Sequence, residues 1–197
     1  MNPPRRYALA AATFALAITL SACSTAGNDD SPEQEPAPAP SSDAVSGFND
    51  ADVVFAQMMV PHHEQAVEMS DMLLAKDGID AQVVSLATQV KDAQQPEIEQ
   101  LNEWLDAWGA DDNMAGMDHG AGGMMSNDDM MALDGASGAE ASQLFLEQMI
   151  VHHEGAVEMA ETEINDGVNA DAIEMAGAIV LTQSEEINVM RNLLGSL

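Results

Sequence analysis

Apolar side chains recur at alternating steps of four and three residues in two separate parts of the chain. This spacing is typical of an amphipathic helix that packs against partner helices. The first part carries it at Phe55, Met59, His62, Ala66, Met69 and Leu73. The second part repeats it at Phe145, Met149, His152, Ala156 and Met159. Each histidine stands where the pattern otherwise places an apolar residue.

Each of these stretches is followed by a second helical pattern. The two sets are Val83, Ala87, Val90, Gln94, Ile98, Leu101, Leu105 and Ala172, Ala176, Ile179, Gln183, Ile187, Met190, Leu194. The pairs Asp77-Gly78 and Asp166-Gly167 mark turns inside each copy. No sustained alternation with a period of two predicts a strand. We therefore expect an all-α four-helix bundle built from two antiparallel hairpins, residues 48–108 and 138–197, with a bridge over 109–137.

The two halves are related in sequence as well as in pattern. Residues 55–70 match residues 145–160 at nine of sixteen positions, and the matches include four of the five histidines of the chain. On a helix, His62 and His152 fall on the apolar seam, whereas His63 and His153 lie about 100° further round, at its edge. Pro61 predicts either a kink before the histidines or a helix that begins later, and Val151 in the second copy shows that a kink is not needed in both.

The first residues have the pattern of an export signal. Arg5 and Arg6 precede an apolar run that is too short for a comfortable membrane span, and Leu20-Ser21-Ala22-Cys23 follows it. The last four residues resemble a bacterial lipobox, in which the cysteine is lipidated. We expect a lipoprotein signal peptide over 1–22, lipidation at Cys23 and an unfolded Pro/Ser/Asp-rich tether over 23–47. The protein would then be extracytoplasmic and lipid-anchored to the cell membrane.

The charge of the chain is strongly negative, with a formal net charge of −29 at pH 7. All 34 acidic residues lie beyond residue 22, where only Lys76, Lys91 and Arg191 are basic. Such a surface repels nucleic acid and anionic lipid head groups. We expect no nucleic-acid partner and no membrane contact other than the lipid anchor.

The repeated histidine pairs, flanked by methionines, indicate a metal site. Thioether sulfur selects Cu(I), and imidazole accepts Cu(I), Cu(II) or zinc. At helical spacing the candidates of each copy approach one patch of the seam. These candidate ligands are Met59, His62, His63 and Met69, with Met149, His152, His153 and Met159 in the second copy. Antiparallel packing leaves open whether the copies build one site or two.

Four further polar residues are candidate hydrogen-bond partners of the imidazoles. Glu68 and Glu158 follow the second histidine of each pair by five residues, and they are either such partners or plain surface charges. Gln94 and Gln183 occupy seam positions of the second helix in each copy, with Glu97 and Glu186 one turn further on.

The bridge has a composition of its own, with six methionines in residues 114–131 among glycines and aspartates. Its candidate copper ligands are Met114, Met117, His119, Met124 and Met125. Drift of a low-complexity segment is the alternative explanation. The segment is too rich in glycine for a stable helix before about Asn127, and Met130 and Met131 are expected to begin the next helix.

The doubled motif resembles that of a bacterial family of unknown-function domains that includes a cyanobacterial copper-resistance protein. The residues that carry the resemblance are Met59-Val-Pro-His-His-Glu-Gln-Ala-Val-Glu-Met69, its copy from Met149 to Met159, and the Met-rich segment from Met114 to Gly120. The resemblance implies a ferritin-like four-helix bundle over about residues 48–197. It also implies binding of Cu(I) and Cu(II) outside the cytoplasm by these Met and His residues. Val151 departs from the family's proline.

The function expected first is that of a copper-binding lipoprotein, not an enzyme, which sequesters or transfers Cu(I) or Cu(II) in copper homeostasis or resistance. Storage and delivery, further copper-handling partners, the oligomeric state, and silver or zinc binding all stay open. The alternative is a structural or interaction module of the envelope whose histidines belong to the core. A di-iron oxidoreductase is disfavoured, because Met59 and Met149 stand where such sites need a glutamate three residues before the histidine.

Overall fold

The computed structural model describes residues 47–110 and 122–197 of the chain. These residues form five α-helices and no strand, so the prediction of an all-α fold is confirmed. Four of the helices are long and one is short. Their bounds are α1 Asp50–Leu74, α2 Ala81–Trp108, α3 Asn127–Gly135, α4 Gly138–Asp166 and α5 Ala170–Leu194.

Two antiparallel hairpins, α1–α2 and α4–α5, pack against each other through α1 and α4. The start of α1 and the end of α4 share one apolar cluster, which includes Phe55 and Ala160. The end of α1 and the start of α4 share a second cluster, which includes Leu73 and Phe145. The two central helices therefore run antiparallel, and the two sequence repeats face each other along their length.

The heptad seams form most of the core as the spacing predicts, although Met159 and Leu194 are only half-buried and the histidine pairs depart from the prediction. His62 and His152 are buried, but His63 and His153 are fully buried as well. The prediction that His63 and His153 lie at the edge of the helix is therefore wrong. Their side of α1 and α4 is covered by α2 and α5, so a position 100° from the seam is still inside the bundle.

Helix α1 begins at Asp50 and continues through Pro61 to Leu74. Asn49 caps its first turn and Asp52 completes a reciprocal capping box, which fixes the helix start well before the proline. The expectation of a later start is thus excluded. The histidine pair lies inside one continuous helix and not at its end.

The bridge contains a helix that the sequence pattern did not separate. Met130 and Met131 lie in α3, which ends at Gly135, and α4 begins anew at Gly138. Met130 and Met131 therefore lie in the helix that follows the Gly-rich part of the bridge, as expected, but this helix is separate from α4, because Ala136 and Ser137 take up extended backbone between the two. Leu133 anchors α3 to the cluster formed by the end of α1 and the start of α4.

Several expectations fall on residues outside the described part of the chain. These are the signal peptide 1–22, the lipidated Cys23, nearly all of the tether, and the bridge ligands Met114, Met117 and His119. Among the described helices, none is both long and apolar enough to cross a membrane.

Candidate metal centre

A polar layer divides the apolar interior of the bundle into two clusters. The cluster near the start of α1 ends at Val60, and the other begins at Ala66. In α2 the clusters stop at Val90 and resume at Ile98. The buried side chains between them form what we call the histidine layer: His62, His63, Gln94, His152, His153 and Gln183.

The two sequence repeats meet inside this layer. The imidazole rings of His62 and His152 lie with centroids 3.7 Å apart, although ninety residues separate them. Within each pair the ring centroids are 6.4 Å apart, with interplanar angles of 55° and 53°. The four rings thus form one continuous group with approximate twofold symmetry. This arrangement answers the question that the sequence left open, since the two copies lie together and not at opposite ends.

Each outer histidine is held by a carboxylate from the second helix of its own hairpin. Nε2 of His63 lies 2.8 Å from Oε2 of Glu97, and Nε2 of His153 lies 2.8 Å from Oε2 of Glu186. An ionised carboxylate only accepts hydrogen bonds, so each Nε2 carries the proton. The lone pair of each neutral ring is then on Nδ1, which is the nitrogen left for a metal.

His62 is held in the same tautomer by the backbone of the bridge. Its Nε2 donates to the carbonyl oxygen of Gly122 at 2.8 Å. This carbonyl belongs to residues 122–125, which we call the strap because they cross α1 and α4 next to the histidine layer. A carbonyl oxygen cannot donate, so Nδ1 of His62 also carries the lone pair.

The strap is fixed to the two central helices by equivalent positions of the repeat. In α1, the Gln65 amide bonds both backbone groups of Met125, accepting from its N–H at 2.7 Å and donating to its carbonyl at 3.0 Å. In α4 the equivalent position is Gly155, whose missing side chain admits the backbone of Gly122 and Gly123. A Cβ atom on Gly155 would collide with the Gly122 carbonyl. Gln65 and Gly155 are thus the position at which the two copies differ between the histidine pair and the second methionine of the motif, and both residues contact the strap.

Five buried imidazole nitrogens have no hydrogen-bond partner among the described residues. They are Nδ1 of His62, His63 and His153 and both ring nitrogens of His152. Buried polar atoms are nearly always paired, and an unpaired one costs about 1 to 3 kcal/mol. The donor set is chemically suited to a borderline or soft metal ion, which would bind the unprotonated nitrogens. In donor chemistry, the described residues therefore suit a copper ion, although they are not grouped around one point.

Burial keeps the inner histidines neutral. It lowers the pKa of His62 to about 3, with the neighbouring His63 adding to the effect and the bond to Gly122 opposing it. Burial, followed by the proximity of His62, also holds the pKa of His152 well below its ordinary value. Since a metal competes with a proton for the same lone pair, these rings are available as ligands even in mildly acidic solution.

The methionines of the motif are divided between the two sides of the histidine layer. Met59 and Met159 belong to the cluster near the start of α1, whereas Met69 and Met149 belong to the other. Antiparallel packing causes this division, because it pairs the front of one motif with the back of the other. In the strap, Met124 and Met125 are half-buried, and Met125 packs against the second cluster.

The four expected hydrogen-bond partners occupy two different environments. Glu68 and Glu158 are exposed, which matches the alternative that they are surface charges. Gln94 and Gln183 are buried in the histidine layer, and their Oε1 atoms have no partner among the described residues. The carboxylates that bind imidazole are Glu97 and Glu186. Their place one turn after the buried glutamines was the signal that could have identified them.

The arrangement is a set of paired imidazoles rather than a preformed cage. Within residues 47–110 and 122–197, no three or more His, Cys, Asp or Glu side chains are grouped tightly enough to hold one ion. Two apolar clusters enclose the layer on either side, which excludes water and strengthens electrostatic interactions inside it.

Comparison with known families and structures yields a consistent set of relatives. The sequence profile of a domain of unknown function, DUF305, matches residues 52–194. Among proteins with curated descriptions, none is significantly similar to the chain. Among solved structures, a DUF305 protein from Streptomyces coelicolor is 32% identical, with a TM-score of 0.68 over 74% of this chain and 93% of that one. A DUF305 fragment from Deinococcus radiodurans is 29% identical, with a TM-score of 0.69 over 76% and 98%.

The same fold occurs in a protein, CopM, whose structures contain copper. Its Cu(I)-bound form is 27% identical to this chain, with a TM-score of 0.62 over 74% of this chain and 96% of CopM. Its Cu(II)-bound form is 28% identical, with a TM-score of 0.64 over the same shares. Silver-bound forms of CopM have the fold as well.

Proposed function

The chain belongs to the DUF305 family, and from that premise we propose that it is a copper-binding protein whose main site is the histidine layer. The observation that carries the proposal is the group of five buried imidazole nitrogens that have no hydrogen-bond partner in the part of the chain that the structure describes. Similarity to CopM in its Cu(I)- and Cu(II)-bound forms supports copper as the metal. Neither observation involves a reacting substrate, so the proposal includes no enzymatic activity.

In this proposal each residue of the layer has a defined task. Nδ1 of His62, His63 and His153 and a ring nitrogen of His152 are the donors from which the ion takes its ligands. Glu97 and Glu186 fix the tautomer and raise the basicity of the outer rings, as carboxylates do behind metal-bound histidines. The strap carbonyl of Gly122 does the same for His62 and shields it from water. Bound copper would bring positive charge into this apolar interior, where neutral imidazoles can act as its ligands.

The cellular role that we propose is sequestration or transfer of copper outside the cytoplasm. The signal-like residues 1–22 and the lipobox-like sequence ending at Cys23 support a lipid anchor at the cell membrane. The Met-rich residues Met114, Met117, Met124 and Met125, with His119, provide further soft donors for Cu(I). A high negative charge attracts cations to such a protein.

The direct test is a competition titration with a chromophoric Cu(I) chelator under anaerobic conditions. We expect the double variant His62→Ala/His152→Ala to lose most of its Cu(I) affinity while its helical circular dichroism is retained. A matched control is Glu64→Gln, an exposed carboxylate directly beside His63. That control should bind as the unaltered chain does.

The opposite result would favour an envelope module with histidines in its core. Unchanged Cu(I) and Cu(II) affinity in His62→Ala/His152→Ala, with intact helical signal, would exclude the histidine layer as the copper site. The same titration with Zn²⁺ and Ag⁺ distinguishes a copper site from a site for these competing ions.

A further inference from the structure

An open cavity of about 450 Å³ lies beside the histidine layer, between the first half of α1 and the second half of α4. Met58 of α1 and Met159 of α4 both line it, and so does Gly122 of the strap. Two exposed carboxylates, Asp50 and Glu158, lie on its lining. The cavity thus combines soft uncharged donors with negative charge at the surface.

The cavity reaches the histidine layer through one residue. A Cβ atom placed on Gly122 would lie 3.6 Å from Sδ of Met159, so the thioether and the glycine are in contact. The carbonyl of this same glycine accepts the hydrogen bond from Nε2 of His62 at 2.8 Å. Only the backbone of Gly122 therefore separates a thioether of the cavity from an inner imidazole.

Approximate twofold symmetry relates the cavity to a second region of the bundle that a helix covers. The symmetric region, between the end of α1 and the start of α4, is covered by α3 and its buried Leu133. There the position equivalent to Met58 is Gln148, whose amide donates to the Asp129 carbonyl of α3. On the cavity side, no described helix covers the space between α1 and α4. Among the described residues, the histidine layer therefore has no covering helix on the side of Met58.

Packing alone does not account for Met58. Its side chain is half-buried and is not among the residues packed against either apolar cluster. A leucine side chain would occupy a similar volume in the cavity wall, whereas a thioether also offers a ligand for a soft cation. Met159 is likewise half-buried on the facing helix. Both sulfurs are placed to contact an ion in the cavity before it reaches the core.

We propose that this cavity is a loading site for a soft monovalent cation. The thioethers of Met58 and Met159 hold Cu(I) there, the carboxylates of Asp50 and Glu158 draw it in, and it passes beside Gly122 into the histidine layer. This inference rests on the copper binding proposed above, and it adds a second site with a kinetic role.

The first measurement uses Ag⁺ as a redox-inert probe of the full chain labelled with ¹³C at the methionine methyl groups. Titration is expected to shift the methyl resonances of Met58 and Met159, because silver binds thioether sulfur. The second measurement is the rate at which Cu(I) moves from a weak chelator to the histidines, followed through the imidazole resonances. Met58→Leu/Met159→Leu is expected to slow this transfer about tenfold while the final occupancy of the histidines stays the same.

The matched control is Met72→Leu/Met175→Leu, which changes two half-buried methionines away from the cavity by the same nearly volume-conserving substitution. It should load at the rate of the unaltered chain. The inference is overturned if the methyl groups of Met58 and Met159 do not respond to Ag⁺, or if the double variant loads as fast as its control. Failure of the unaltered chain to take up Cu(I) at its histidines would contradict the proposed function and the loading site together.

Discussion

At the scale of single residues, the second histidine of each pair depends on a carboxylate from another helix. Repetition of the His-His pair in the sequence identified the imidazoles without a structure. The same reasoning placed Glu97 and Glu186 one turn after the buried glutamines but did not assign them to the imidazoles, since a helical pattern gives the face of a residue but not the reach of its side chain. The structure supplies the missing distance, 2.8 Å from each carboxylate to its imidazole.

Removal of one such carboxylate should weaken copper binding without removing a ligand. For Glu97→Ala we expect Cu(I) affinity to fall about 10- to 100-fold, because Nε2 of His63 loses the acceptor that fixes its tautomer. Competition titration measures the change. Glu99→Ala, an exposed glutamate of the same helix, is the control, and an equal effect in both variants would mean that only surface charge is involved.

Two buried acids, Asp52 and Glu163, lead us to expect a specific response of stability to pH. Burial raises the pKa of Glu163 to about 8, and the adjacent Asp52 adds to the rise. Burial alone would raise the pKa of Asp52 too, but backbone N–H groups of Asn169 and Asn49 and the proton of Glu163 bring it below its ordinary value. Asp52 thereby joins the start of α1 to the turn between α4 and α5. Nothing in the sequence pattern indicated this pair, because acidic residues are common throughout the chain.

The pKa of Glu163 predicts a loss of stability in alkaline solution. A folded-state pKa above the ordinary 4.5 means that this carboxyl's contribution is complete below pH 4.5 and is lost as pH rises to about 8. Glu163→Gln keeps a neutral side chain at every pH. We expect it to match the unaltered chain at pH 4.5 and to exceed its unfolding free energy by about 1 to 3 kcal/mol at pH 9. Urea denaturation at both pH values measures this, with exposed Glu161→Gln as control; equal stability of all three chains at pH 9 would refute the assignment.

At the scale of helices, the contact between the strap and α4 depends on one missing side chain. The sequence shows Gly155 where the first copy has Gln65, and a glycine inside a helix ordinarily lowers helix stability. The physical reason for the exchange became visible only with the bridge in place, because the strap lies outside both hairpins and is 60 residues along the chain from Gln65. The separation of α3 from α4 was missed for a related reason, since the nine residues of α3 contain too few apolar positions to establish a period.

Addition of one methyl group at Gly155 tests whether the strap packs against this residue. Gly155→Ala should displace Gly122 and Gly123 and cost about 1 to 3 kcal/mol, because the new Cβ meets backbone that cannot fit beside it. Gly177→Ala is the matched control: it is also within a long helix, has open space around its Cα, and should gain up to about 1 kcal/mol. Thermal unfolding followed by circular dichroism compares them. Stabilisation of both variants by a similar amount would show that the strap does not rest on Gly155.

At the scale of the whole molecule, the duplication brings two histidine pairs together in one layer of the bundle. Each hairpin contributes one histidine pair, and antiparallel pairing of α1 with α4 brings His62 against His152. The hydrophobic spacing predicted the hairpins and the bundle, because both depend on local periodicity. It did not predict whether the copies build one site, since that depends on the relative position of the two hairpins along the axis of the bundle.

The central claim is that Cu(I) binds to imidazoles from both halves of the bundle. The most direct measurement is the ¹⁵N shift of the histidine ring nitrogens during titration of the full chain with Cu(I). We predict that resonances of His62, His63, His152 and His153 change together from the first additions of metal, with Nδ1 of the outer rings most affected. Copper uptake that leaves these four imidazoles unchanged, or that alters the pair of one half alone, would contradict the account.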